Sequence, residues 1–276
     1  EGRMVSKNLL LAQDAGLGNG ETPIFPITIF KVKEGVNYNQ EDPNYDLFKL
    51  ACKVSAKRLF PNFSFIDAPF NLQYYQEGDP NTEIAYMGWR TRVIGNTYDP
   101  SREIVTGRGN LSFTSINLPR IAIESKKNIN VFFRLLDSKL KIVSAQLMDR
   151  FALQCDKKIK NYPFLMGQGV WIDSDKLNMD DDLTEVLSHG TLSIGFIGLA
   201  ETLKYLTGKH HAESESSQKL GLKIIKYMRD FCDQECLDYN LNYSLLATPA
   251  EGLSGRFVNM DRKKYGVIKG VTDRDY

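Results

Sequence analysis

The glycines of Gly16-Leu17-Gly18-Asn19-Gly20 could cradle a phosphate, since glycine lets backbone N–H groups approach an anion closely. The segment follows a helical pattern and precedes an apolar run. That is the reverse of the strand–loop–helix order that aims N–H groups at a phosphate, so a helix C-cap and turn is expected. Cys232 and Cys236 stand four apart in a helical stretch and share one face. A metal would need further ligands, and no other His or Cys lies nearby in sequence, so they read as plain helix-face thiols. Cys52 and Cys155 fall on apolar helical faces and read as core residues. His210-His211, behind Gly208-Lys209, read as groups capping the free carbonyls of a helix end. His189, ahead of Gly190 and an apolar run, reads as a structural histidine that orients a turn. Thr248-Pro249-Ala250-Glu251-Gly252 follows a strand pattern and opens a helix, the place where α/β folds present ligand loops. Free N–H groups there could hold an anion, although Glu251 would repel a phosphate unless it points away.

These groups need a scaffold, and apolar periodicity predicts one. Residues 4–12 read as helix and residues 23–32 as a buried strand. Asp42-Pro43-Asn44 opens a helix, with Leu47, Leu50, Ala51, Val54 and Leu59 at helical spacing until Phe60-Pro61. Strands are expected at 63–66, 83–87, 111–118, 170–172, 191–197 and 242–247. Helices are expected over 126–160, 181–187, from 198 to Gly208, and over 214–239, with the two longest packing outside the sheet. Residues 67–81 are polar and read as a surface excursion. Strands separated by helices of this length predict an α/β fold with largely parallel strands.

Composition narrows the class further. The 276 residues include 42% hydrophobic and 25% charged ones, ordinary for a globular protein and against disorder. Lysine and arginine number 35 against 34 aspartate and glutamate, so no global field draws the chain to nucleic acid or anionic lipid. No apolar run approaches the ~20 residues of a membrane span. Four cysteines do not make a disulfide framework. A soluble, cytoplasmic protein with neither nucleic-acid nor membrane partner is therefore expected. Residues 4–12 begin as a helix with nothing ahead of it to cover its stripe, which reads as the interior of a longer protein.

Several ordered segments resemble the anaerobic (class III) ribonucleoside-triphosphate reductases of the glycyl-radical superfamily. They include Thr22-Pro23-Ile24-Phe25-Pro26, Tyr86-Met87-Gly88-Trp89-Arg90-Thr91-Arg92, the run Gly107 to Arg120, the run His189 to Leu199, and Ala247-Thr248-Pro249-Ala250-Glu251-Gly252. The resemblance runs over essentially the whole chain. It implies that residues 1–276 are a single fragment of a ten-stranded α/β barrel with helices outside and a finger loop carrying a cysteine to the centre. A glycyl radical oxidises that cysteine to a thiyl, which takes the ribose 3′ hydrogen before the 2′ hydroxyl leaves as water. The implied substrate is a ribonucleoside triphosphate, and the implied partners are a radical-SAM activating enzyme and a second copy in a homodimer. Glycyl radical, zinc, and formate or a redoxin as reductant would all rest on residues outside this chain, as would the regulatory region. No metal ligands are expected within it.

One departure stands out. The family's finger-loop motif is Met-Gly-Cys-Arg, and this sequence reads Met87-Gly88-Trp89-Arg90. An indole has no S–H to exchange, and it is far bulkier than a thiol. The chain as written is therefore expected not to abstract hydrogen. The asparagine that the family places near the ribose falls on Asn110 or Asn117, with Asn110 preferred; the plainer role for both is bonding backbone groups at strand ends. Glu251 would contact ribose or relay a proton, or else face the dipole at a helix start. Thr248 and Ala250 would bind substrate. Arg90 and Arg92 would grip the triphosphate through planar forks or pair with carboxylates. Two readings follow: a portion of the reductase's catalytic barrel, or a non-catalytic nucleotide-binding or structural module descended from it.

Overall fold

A computed structural model of the chain describes residues 1–23, 25–87, 91–93, 95–250 and 252–274. The chain divides into two units, residues 1–95 with 103–105, and residues 96–102 with 106–276.

In the first unit, α1 (Gly2–Ala15) stops at Gly16, whose φ is +83° and whose N–H returns to Ala12 O. A Cβ there would lie 2.6 Å from Glu21 O, so only glycine makes this turn. Leu17 and Gly20 spend their N–H groups on Glu21 O and Leu17 O, which leaves a helix stop and no phosphate cradle. The buried Arg58 guanidinium, at the end of α2 (Tyr45–Arg58), donates to the carbonyls of Asp14, Ala15 and Gly20, satisfying the orphan acceptors of α1. β1 (Ile29–Val32) pairs in parallel with β2 (Asn62–Phe65). β1 is shorter than the expected 23–32, because Pro23 and Pro26 have no N–H for a ladder. Leu10, Ala51 and Val54 form a small core with Phe30, Leu50 and Phe63. Cys52 is exposed rather than core: it sits about 100° around the helix from buried Ala51, outside the inward stripe. The excursion at 67–81 carries a short helix, α3 (Pro69–Leu72), and buries Asn71, whose amide donates to Phe65 O. β3 (Ala85–Met87) and β4 (Thr91–Val93) form an antiparallel hairpin with Ala85 opposite Val93. β4 is too short to leave a periodic signal.

The second unit carries a three-stranded parallel sheet in the order β5 (Asn110–Asn117), β6 (Thr191–Ile197), β7 (Asn242–Ala247). Between β5 and β6 run α4 (Leu118–Glu124), α5 (Ile129–Cys155) and α6 (Thr184–Leu187). α7 (Leu199–Thr207) and α8 (Glu215–Tyr239) join β6 to β7, and α9 (Leu253–Tyr265) follows. One sheet face supplies Ile116, Leu192, Ile194 and Tyr243 to a core with Leu136, Leu140 and Leu147 of α5 and Ile224 and Met228 of α8. The helix expected over 126–160 is found as α5, shorter at both ends, and a separate helix, α4, precedes it. Pro119 begins α4 in its first turn, Lys126 and Lys127 take positive φ, and Asn128 caps α5 anew.

Two further expectations are corrected. Residues 170–172 are turn rather than strand, flanked by Gly169 and Asp173 at positive φ. The apolar character of Trp171 and Ile172 is explained by burial, with Trp171 Nε1 donating to Val186 O at 2.7 Å. His210 does not cap α7, because Gly208 does so through its own N–H to Lys204 O. The His210 ring instead accepts from Ala212 N–H at 3.1 Å and lies 3.6 Å from Glu213. Cys155 and Cys232 are buried and Cys236 half-buried, as core thiols, and burial pushes Cys232 up to about 12.

Candidate functional site

Strand alternation gives the sheet of the second unit two unlike faces. Opposite the apolar face that meets the helices, β5 presents Ser115, β6 presents Ser193 and Gly195, and β7 presents Ser244 and then Thr248 just beyond its end. Ser193 Oγ bonds Ser244 Oγ at 2.9 Å, and Ser115 Oγ bonds Thr248 Oγ1 at 2.7 Å. The second pair spans β6, and Gly195 makes it possible. A Cβ at that position would lie 2.2 Å from Thr248 Oγ1 and 2.8 Å from Ser115 Oγ. The result is a strip of neutral hydroxyls in which Ser193 is fully buried; Ser115 and Thr248 could donate and accept toward a polyhydroxylated ligand but are too weakly acidic for proton transfer alone.

The C-terminal ends of these strands form a rim. Asn117 ends β5, accepts from Arg120 N–H as the cap of α4, and donates to Asp261 Oδ2 at 2.8 Å. Asp261, only 2% exposed on α9, also takes Arg120 Nε at 2.6 Å. Near the far end of α9, Tyr265 donates to Glu124 at 2.6 Å, and this bond holds the Glu124 carboxyl below its ordinary range. α9 is thereby tied to α4 at two levels, with its N-terminus fixed a few residues beyond Thr248. A cavity of about 100 Å³ opens beside this tie, lined by Asn117, Gly198, Ser254, Phe257 and Asp261 among others.

Thr248 and Asn117 therefore share the C-terminal rim, and Ala250 stands at the entry to α9, where its carbonyl accepts from Ser254. Asn110 is at the opposite end of β5, roughly 20 Å away at strand rise. Arg92 belongs to the first unit, where it donates to Asn71 Oδ1 at 2.9 Å and to Phe70 O and lies over the Phe70 ring, so it holds β4 to α3 and, among the described residues, meets no carboxylate. Trp89, Arg90 and Glu251 lie outside the described residues. Among the described residues no three His, Cys, Asp or Glu side chains gather as a metal site, and no helix is long and apolar enough to cross a membrane. Sequence reading missed Ser115, Ser193, Ser244 and Asp261. The alternation of serine with apolar residues in three strands was the available signal for the first three; nothing marked Asp261.

Residues 1–276 match the family described as anaerobic ribonucleoside-triphosphate reductase. The enzyme of that name from Escherichia coli (strain K12) is 34% identical over 280 residues, covering 100% of this chain and 38% of the relative. The one from Enterobacteria phage T4 is 33% identical over 281 residues, covering 99% of this chain and 44% of the relative. This chain thus spans well under half of these relatives. Among solved structures, the anaerobic ribonucleotide reductase from Thermotoga maritima with glycerol in the active site aligns over 96% of this chain and 38% of its own, with a TM-score of 0.60 at 15% identity. The same enzyme in complex with dATP and CTP gives 0.61 at 14%. Those identities speak for a shared fold. With every residue of the sequence covered by the family match, the chain belongs to the anaerobic ribonucleoside-triphosphate reductases.

Proposed function

We propose that this chain is a central part of the catalytic barrel of an enzyme that reduces ribonucleoside triphosphates to deoxyribonucleotides. The observation that carries this reading is the family match over residues 1–276. The parallel sheet then contributes three strands to a ten-stranded barrel, with its hydroxyl strip turned inward and its helices outside. Ribose would lie against Ser115, Thr248 and Asn117, whose hydroxyls and amide suit sugar oxygens. The triphosphate would meet the entry to α9 around Thr248 and Ala250, where the start of a helix favours an anion. Arg90 would bind substrate and Glu251 would contact the ribose, whereas Arg92 serves as a hairpin anchor. The partners of the complete protein, a radical-SAM activase and a second copy, and its location in the cytoplasm belong to the same proposal.

The radical and zinc chemistry implied by the family finds no fit in this chain. Trp89 stands in the sequence where the motif calls for a thiol, and among the described residues no cluster suits zinc. No step is derived through either group. The same Trp89 favours the second reading, a nucleotide-binding module without turnover. The test is to assay the complete protein with Trp89 and with Trp89→Cys for deoxyribonucleotide formation after anaerobic activation, alongside nucleotide binding. Turnover only in the cysteine form supports the barrel reading, and turnover with Trp89 in place overturns the radical-cysteine argument. Binding without turnover in both forms supports the module.

A further inference from the structure

At the N-terminal ends of β6 and β7, opposite the Thr248 rim, four buried polar side chains meet that the reading above does not use. They are Asn96, His189, Asn242 and Arg108, exposed by 2%, 4%, 8% and 7%. Asn96 Nδ2 donates to His189 Nδ1 at 3.1 Å and to Arg102 O at 3.3 Å, while Asn96 Oδ1 accepts from Asn242 Nδ2 at 3.3 Å. Asn242 Oδ1 takes Thr97 N–H at 2.7 Å, and Arg108 Nε donates to His189 O at 2.9 Å. The Tyr98 ring stands edge-on to the imidazole at 4.9 Å. Residues 96–102 are the stretch in which the chain enters the second unit, and Asn96 comes three residues after the end of β4.

We propose that Asn96, His189 and Asn242 form a proton-labile latch, in which neutral His189 accepts through Nδ1 to pin residues 96–102 to the starts of β6 and β7, and in which its protonation releases them. An imidazolium carries hydrogen on both nitrogens, so Nδ1–H would face the Asn96 N–H donor. Turning the Asn96 amide over does not cure this. It would set oxygen against Arg102 O and nitrogen against Asn242 Nδ2, losing two bonds to restore one. Arg102 and Arg108 face the ring and oppose its protonation, while Asp99 and Asp173 favour it. Asp173 is already engaged by Arg102 and Lys176. Burial is the largest influence, and it holds the imidazole below its ordinary range.

The sign follows from linkage. In the released segment His189 titrates near the ordinary value of about 6.5, and in the latched state it resists the proton. The latch is therefore full above that value and loses up to about tenfold in its closing constant per pH unit below it. These are positioning residues, since they touch no substrate. Their consequence for chemistry rests on the proposed function, and the latch itself lies wholly within the second unit.

The experiment is hydrogen–deuterium exchange on the 276-residue chain at pH 7.5 and 5.5, corrected for intrinsic chemistry, with peptides covering 96–102 and α5. Native chain is expected to open at 96–102 several-fold and up to about tenfold more at pH 5.5, with α5 unchanged. His189→Gln, which keeps an acceptor but cannot titrate, is expected to stay protected at both values. Asn96→Ala is expected to exchange quickly at both. A flat native profile, an acid response surviving in His189→Gln, or α5 opening in step with 96–102 would each overturn the latch. Neither turnover nor nucleotide binding is read, so failure of the reductase proposal leaves this result standing, and the reverse.

Discussion

Replacing Gly195 with alanine probes whether the hydroxyl strip is a packed device or an incidental surface. Gly195 has ordinary strand backbone, so the substitution brings no conformational penalty of its own and acts through contact alone. The new methyl carbon would sit 2.2 Å from Thr248 Oγ1 and 2.8 Å from Ser115 Oγ, with the Ser115 Cα at 3.4 Å limiting retreat on that side. Overpacking of this kind costs about 1–3 kcal/mol, and parting the Ser115–Thr248 hydrogen bond adds about 1 kcal/mol. A loss of about 2–4 kcal/mol is expected, or a fall of roughly 3–7 °C in Tm at this chain size. Thr248→Ala alone should cost about 1 kcal/mol. The double variant removes the worst contact, so it should lose no more than about 2 kcal/mol, a clear departure from additivity. Urea unfolding of the four proteins followed by circular dichroism measures the cycle. A Gly195→Ala protein within about 0.5 kcal/mol of native, or a double variant equal to the sum of the singles, would refute the close-approach argument.

Asp261→Ala should be among the most damaging changes in the second unit, because it leaves Arg120 and Asn117 without their buried partner. Removing one member of a fully buried pair costs about 3–5 kcal/mol, and the partial exposure of Arg120 lowers this to about 2–3 kcal/mol in urea unfolding. Thiol labelling at pH 8 should find one fast cysteine in the native chain, exposed Cys52, with Cys155, Cys232 and Cys236 reacting only on unfolding. Cys52→Ser should abolish the fast phase; a fast phase that persists would show that the buried thiols are accessible.

Much of the second unit was legible in order. The strands at 191–197 and 242–247 were readable because each is a short apolar run closed by its own local signals, Gly190 and Gly198 for one and Asn240 and Pro249 for the other. Ser214 and Gly208 likewise announced the start of α8 and the end of α7 through caps that need no distant partner. Misreadings arose where burial occurred without a ladder, as at Trp171, or where one helical rotation separated exposed Cys52 from buried Ala51. His189 was readable as structural, yet its bond to Asn96, 93 residues away, was not.

The sequence by itself determined the family, the parallel α/β character of the second unit, and the presence of an indole at position 89 in the finger-loop motif. Those properties are written in local spacing and in ordered motifs. Only the tertiary structure decided that Ser115 meets Thr248 across Gly195, that Asp261 ties α9 to α4, and that His189 holds residues 96–102. Each of these contacts joins residues about 90 to 145 positions apart. Their existence depends on strand register and helix placement, which the chain acquires only when distant apolar faces pack together.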